Sequence, residues 1–201
     1  MEFEKLYSNQ FKDIEKYGKN FTRSPKILIP CHSAIAKIVE ENTNFHTALE
    51  YEFKSDFGNK KIDIAILDNN NNLVGAIMFK AIRSNYNKNH NNYKETMLGE
   101  SLIITSKNIP VYQLTILPTN PIKGDSIEKI DIKKDKEYNA LIDKSPLGSL
   151  LKIGRYYFDI DYTTNTAKYS NRKIKGSLTT VTDGIKEFCE EVKMSYANRQ
   201  N

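Results

Sequence analysis

The sequence predicts an α/β fold, of the α+β-like kind, built on a central mixed β-sheet flanked by helices. Three observations predict it. Three strand-patterned runs follow one another at about 46–54, 61–68 and 73–83, joined by short polar connectors, which is the pattern of an antiparallel meander. A helix-patterned stretch at about 91–106 then leads to the apolar run VYQLTILP at 111–118, so a helical crossover returns the chain to the sheet. Further helical patterns lie at 2–18, 31–42 and 180–198.

Each element has its own signal. In EFEKLYSNQFKDIEKYG, Phe3, Leu6, Tyr7, Phe11 and Ile14 recur near helical spacing and Gly18 marks the stop. Pro25 and Pro30 place a loop at 19–30; Ala34, Ile35, Ile38 and Val39 then give the second helix its apolar face. In HTALEYEFK, Glu50 and Glu52 alternate with Leu49, Tyr51 and Phe53, and read as the wet face of an edge strand. SDFGNK forms the turn to KIDIAILD, and Asn69–Asn72 the turn to LVGAIMFKAIR. Residues 136–152 read as helix and 156–170 as a second hairpin. With 201 residues, the whole chain is expected to form a single domain whose core spans about 31–118.

Composition narrows the partners. The net charge of +5 and the pI near 9.0 fit a polyanion, because Lys and Arg neutralise phosphates and release counterions. No run of about 18 apolar residues predicts a membrane span, and the polar start MEFEKLYSNQ lacks the pattern of a signal peptide. Cys31 and Cys189 have no metal spacing and suggest no disulfide framework. A cytoplasmic setting follows as the expectation. No phosphate-binding loop, dinucleotide fingerprint, G-x-S-x-G or Cys/His zinc pattern is present.

Alternation assigns faces in the hairpin. Ile62, Ile64 and Ile66 share one face, and Asp63 lies on the other with Ala65 and Leu67. In the next strand Ala76, Met78, Lys80 and Ile82 share a face, so pairing brings Asp63 and Lys80 to one side of the sheet. Both strands are otherwise apolar, and burying an Asp and a Lys is costly unless they are paired or bound. A carboxylate there can hold Mg2+, and a neighbouring lysine can orient water or stabilise charge on a phosphorane. An ordinary Asp–Lys ion pair explains the same spacing. His32, His46 and His90 show no metal-ligand spacing.

The stretch 31–118 resembles the PD-(D/E)xK nuclease superfamily, especially type II restriction endonucleases. The resemblance rests on the order helix, three-stranded meander, helix, strand, on Ile62-Asp63-Ile64, and on Met78-Phe79-Lys80 within GAIMFKAIR. NYNKN at 85–89, Gly99-Glu100-Ser101-Leu102 and Val111-Tyr112-Gln113-Leu114 resemble the segments that complete that family's core. It implies a restriction-endonuclease-like core and a Mg2+-dependent, homodimeric nuclease that hydrolyses phosphodiester bonds in double-stranded DNA. Asp63 and Lys80 would be catalytic, with Asp63 on the metal.

Met78 departs from the family pattern, standing where an acidic residue is expected; a thioether does not replace a hard oxygen ligand. Three explanations are open. The carboxylate has moved to the next helix, as Glu95, fifteen residues after Lys80, or Glu100, twenty after. The chain binds DNA without cutting it. Or Met78 is an introduced inactivating change. Glu95 is the first choice for the second metal and catalytic carboxylate. Glu40 and Glu41, near the end of the second helix, are further candidates, with a solvated helix end as the plain alternative. Arg83, Asn85, Lys88 and Asn89 are candidate DNA contacts, since Asn pairs with adenine and Arg and Lys meet phosphate or guanine; a polar surface loop that caps a helix explains them equally.

Overall fold

The computed structural model describes residues 2–18, 25–56, 58–83, 86–120, 148–170 and 180–200. The four α-helices among them are α1 (Glu2–Tyr17), α2 (Ile29–Asn42), α3 (Tyr86–Thr105) and α4 (Val181–Gln200). The strands are β1 (His46–Ser55), β2 (Gly58–Leu67), β3 (Leu73–Ala81), β4 (Val111–Pro118), β5 (Leu151–Asp161) and β6 (Thr166–Tyr169). They form one six-stranded sheet in the order β1-β2-β3-β4-β5-β6. The first two pairings and the last are antiparallel, while β4 runs parallel to both β3 and β5. The mixed α/β sheet expected from the element order is therefore present.

Apolar side chains cover both faces. Ile64, Ile66, Ile77, Phe79, Leu114, Ile116 and Phe158 pack with buried residues of α1, α2 and α4. On the opposite face Ile62, Ala65, Leu67, Ala76 and Met78 pack with Ile104 of α3. Gly154 of β5 leaves room for Tyr112, whose hydroxyl meets that of Tyr156 at 2.5 Å; a Cβ on Gly154 would lie 2.1 Å from the Tyr112 hydroxyl. Gln113, 2 % exposed, donates from Nε2 to the Met97 carbonyl and to Ser101 Oγ, both at 2.7 Å, and so fixes α3 on β4.

Side chains of α1 close the sheet at β6. The Ala167 N–H donates to Ser8 Oγ at 2.7 Å, and the Tyr169 N–H to Glu4 Oε1 at 2.8 Å. Unpaired N–H groups on an edge strand would otherwise recruit another strand.

Several boundaries differ from the sequence expectation. The third helix begins at Tyr86 rather than about 91, even though asparagine has low intrinsic helix propensity. β2 begins at Gly58 rather than 61, because Gly58 at φ +102° permits a tight hairpin that pairs Ser55 with Gly58. The helix expected at 136–152 lies outside the described residues through 147; from there a 3-10 turn, Gly148–Leu150, leads directly into β5. β5 therefore starts five residues before the expected hairpin at 156. The run Asn171-Arg172-Lys173-Ile174-Lys175, which reads as a solvated charge run, lies outside the described residues.

Candidate metal centre where two strand ladders break

Alternation fails in β1 and β2 at the same level, and the candidate site is there; a separate bulge shifts the register of β2 against β3 between Ile66 and Leu67. Every residue of β1 except Glu50 has a pairing partner in β2, and every residue of β2 except Asp63 has one in β1. On either side of the gap the register is the same. The faces, however, exchange. Ile62 packs on the α3 face together with Ala65 and Leu67, while Ile64 packs on the opposite face. In β1, Ala48, Tyr51 and Phe53 all pack on the α3 face, which even alternation forbids for Ala48 and Tyr51. Each strand thus slips by one residue at the same level, and Glu50 takes the left-handed φ of +52°. The expectation that Ile62, Ile64 and Ile66 share a face is corrected accordingly.

The second ladder breaks beside it. β2 and β3 pair from Leu67–Leu73 to Ile64–Ile77 and then separate, while β3 goes on pairing with β4 as far as Ala81. The Phe79 N–H, with no β2 partner, donates to Asp63 Oδ2 at 2.7 Å. The carboxylate therefore sits in the opening between the strands.

His32 of α2 joins it. The imidazole is 2 % exposed and stands edge-on to the Phe79 ring, at 5.6 Å between centroids and 89° between planes. Phe79 thus positions two groups: its N–H holds Asp63 and its ring packs on His32. The His32 Nδ1 lies 3.4 Å from Glu50 Oε1, but not in hydrogen-bonding alignment, and both ring nitrogens lack a hydrogen-bond partner. Lys61 Nζ holds the other oxygen of Glu50 at 3.0 Å. One ligand atom from each of His32, Glu50 and Asp63 lies within 4.8 Å of the others. Cations bound at about 2.1 Å place adjacent ligands about 3 Å apart, so small side-chain rotations suffice to bring this set onto one ion.

The electrostatics fit that use. Burial pushes the Asp63 carboxyl up to about 6; the Phe79 N–H opposes this, Glu50 and Glu100 add to it, and Lys80 opposes it. Burial also lowers the His32 pKa, with Glu50 acting the other way, so the imidazole is neutral near pH 7. Lys61 and Lys80 oppose the charge of the two carboxylates from their outer sides, and the neutral imidazole and the carboxylates still offer three donor atoms that a divalent cation could take up.

The sequence candidates separate clearly. Asp63 and Lys80 are brought within electrostatic reach of each other. Glu100 also acts on Asp63, and the α3 turn that carries it is the one fixed by Gln113. Glu95 is exposed, and it is not among the groups acting on Asp63. Met78 is 5 % exposed in the core under α3. Glu40 accepts from the Thr47 N–H at 3.0 Å and from its hydroxyl at 2.6 Å, which ties α2 to the start of β1. Arg83 donates to Gln10 Oε1 at 3.0 Å, and Gln10 in turn faces Cys31 Sγ at 3.3 Å. Asn85 and the side chains of Lys88 and Asn89 lie outside the described residues.

Sequence reasoning missed Glu50 and His32. Alternation puts Glu50 on the wet face of β1, where it is 40 % exposed, but does not place it beside Asp63; spacing along the chain gives His32 no metal-ligand pattern because its neighbours in the site lie on other elements. No helix among the described residues is long and apolar enough to cross a membrane. Comparison with known protein families, curated proteins and solved structures finds no match for this chain.

Proposed function

We propose that this protein is a divalent-metal-dependent endonuclease for double-stranded DNA, of the type II restriction class, acting as a homodimer. The observation that carries the reading is the opening between β2 and β3, where a half-buried carboxylate, Asp63, meets the field of Lys80 beside Glu50 and His32. The element order around it agrees with the restriction-endonuclease-like core that the sequence resembles.

A cation bound here, Mg2+ being the usual choice of carboxylates and phosphate oxygens, would polarise the phosphodiester and acidify a water. Asp63, ionised above its raised pKa of about 6, anchors that charge. Glu50 approaches from the solvent side with its outer oxygen on Lys61. Lys80 orients the attacking water and stabilises charge as it develops on the phosphate. Glu100 is the α3 carboxylate suited to assist, in place of the acidic residue that Met78 lacks. The net charge of +5 favours approach of DNA, and a two-fold dimer matches a duplex cut on both strands.

The test is cleavage of plasmid and long linear DNA by the whole chain with Mg2+ or Mn2+, beside Lys80→Ala. Discrete bands that vanish in the variant support the reading; full activity in Lys80→Ala removes Lys80 from the mechanism. A second reading, a DNA-binding protein without cleavage, is favoured by the burial of Met78 in the core. Tight DNA binding with intact substrate under both metals would select it.

A further inference from the structure

We infer that His32 makes this centre a mixed nitrogen–oxygen site, selective for a first-row transition-metal dication over Mg2+ or Ca2+. The inference rests on the proposed metal centre but not on DNA cleavage.

Three observations carry it. First, His32 is 2 % exposed with both ring nitrogens lacking a hydrogen-bond partner. Leaving a buried polar atom unpaired is destabilising, so a buried imidazole of this kind has an unmet requirement. Second, its Nδ1 is 3.4 Å from Glu50 Oε1, near the spacing of adjacent ligands on one ion, and Asp63 completes the group within 4.8 Å. Third, the ring's edge-on contact with Phe79 holds its orientation, and the same residue's N–H holds Asp63.

Ligand chemistry then decides the ion. Mg2+ and Ca2+ take oxygen donors, and Mg2+ gives up water reluctantly. Imidazole is a borderline donor that adds affinity for transition-metal ions and little for Mg2+. Two carboxylates keep the site hard enough for Mn2+, the member of that series closest to Mg2+ in preference. A set of three carboxylates would show no such discrimination.

The experiment is titration calorimetry of the metal-free whole chain with MnCl2 and with MgCl2, without DNA, followed by spin-echo spectroscopy of the Mn2+ complex. The expected result is one Mn2+ bound at least tenfold more tightly than Mg2+, with modulation from a directly bound 14N nucleus. His32→Ala removes the modulation and most of the preference. If that variant does not fold, Glu50→Gln serves instead: it weakens Mn2+ binding while the 14N signal of the wild type persists. Equal affinities for the two ions, or bound Mn2+ without 14N modulation in the wild type, overturns the inference. Tight nitrogen-bound Mn2+ in a protein that cuts no DNA would sink the nuclease reading and leave this one standing.

Discussion

Asp63 accepts the Phe79 N–H at 2.7 Å, and this side-chain bond stands one step beyond the last backbone pairing between their strands, Ile64 with Ile77. The carboxylate substitutes for a strand carbonyl. It keeps β3 within reach while leaving the opening in which the other groups gather.

That arrangement strains Asp63 electrostatically. Its carboxyl titrates near 6, above the ordinary value of 3.8, so the native chain holds a proton that the unfolded chain has released between those values. Stability of the metal-free protein therefore falls as pH rises through that window. Asp63→Asn keeps an acceptor for Phe79 and removes the charge. We expect the variant to be more stable than wild type at pH 8 by on the order of 1–3 kcal/mol and equal to it near pH 4. Urea unfolding in chelator at the two pH values checks this; a variant less stable at pH 8 contradicts it.

Lys80→Ala should lower cleavage by about a hundredfold or more, the usual scale for losing one charge-stabilising group. Its melting temperature should change little, since the side chain is half-buried near the open end of β3. Single-turnover cleavage beside a melting curve separates the two effects.

Glu40 and Glu50 provide an internal control. Glu40 ties Thr47 to α2, so Glu40→Ala should cost about 1 kcal/mol of stability and change cleavage less than threefold. Glu50→Gln should leave the melting temperature near wild type and lose most of the metal-dependent activity. Equal losses of activity in both variants would place Glu40 at the site after all.

Much of this was legible in the residues. The hydrophobic period announced every described helix and strand of the meander, and Asp63 and Lys80 stood out as charges in apolar runs. What was hidden depends on geometry between elements. Glu50 and Ile62 were assigned by a period of two, and that period breaks in both strands at once, which no single strand reveals. His32 looked isolated because its partners are on other elements. Glu95 was favoured over Glu100 by sequence distance alone, whereas the turn of α3 that meets the sheet is set by Gln113, a residue whose polarity in an apolar strand was its only signal.

Gly154→Ala tests the packing behind that sheet. Its Cβ would fall 2.1 Å from the Tyr112 hydroxyl and 2.7 Å from two ring atoms, so the ring must move within a full core. A loss of about 2–4 kcal/mol is expected, within the range for overpacking and strain. A midpoint unchanged in chemical denaturation would mean that the ring has somewhere to go.

The seal on β6 also governs how the chain is made. Ser8 and Glu4 meet Ala167 and Tyr169 across separations of 159 and 165 residues. During synthesis α1 emerges long before the strand it covers, and contacts so distant in sequence form late. Until they form, the growing sheet carries a bare edge at its last strand. A chain cut within α1 would show that edge to its neighbours, and aggregation rather than simple loss of stability would be its mark.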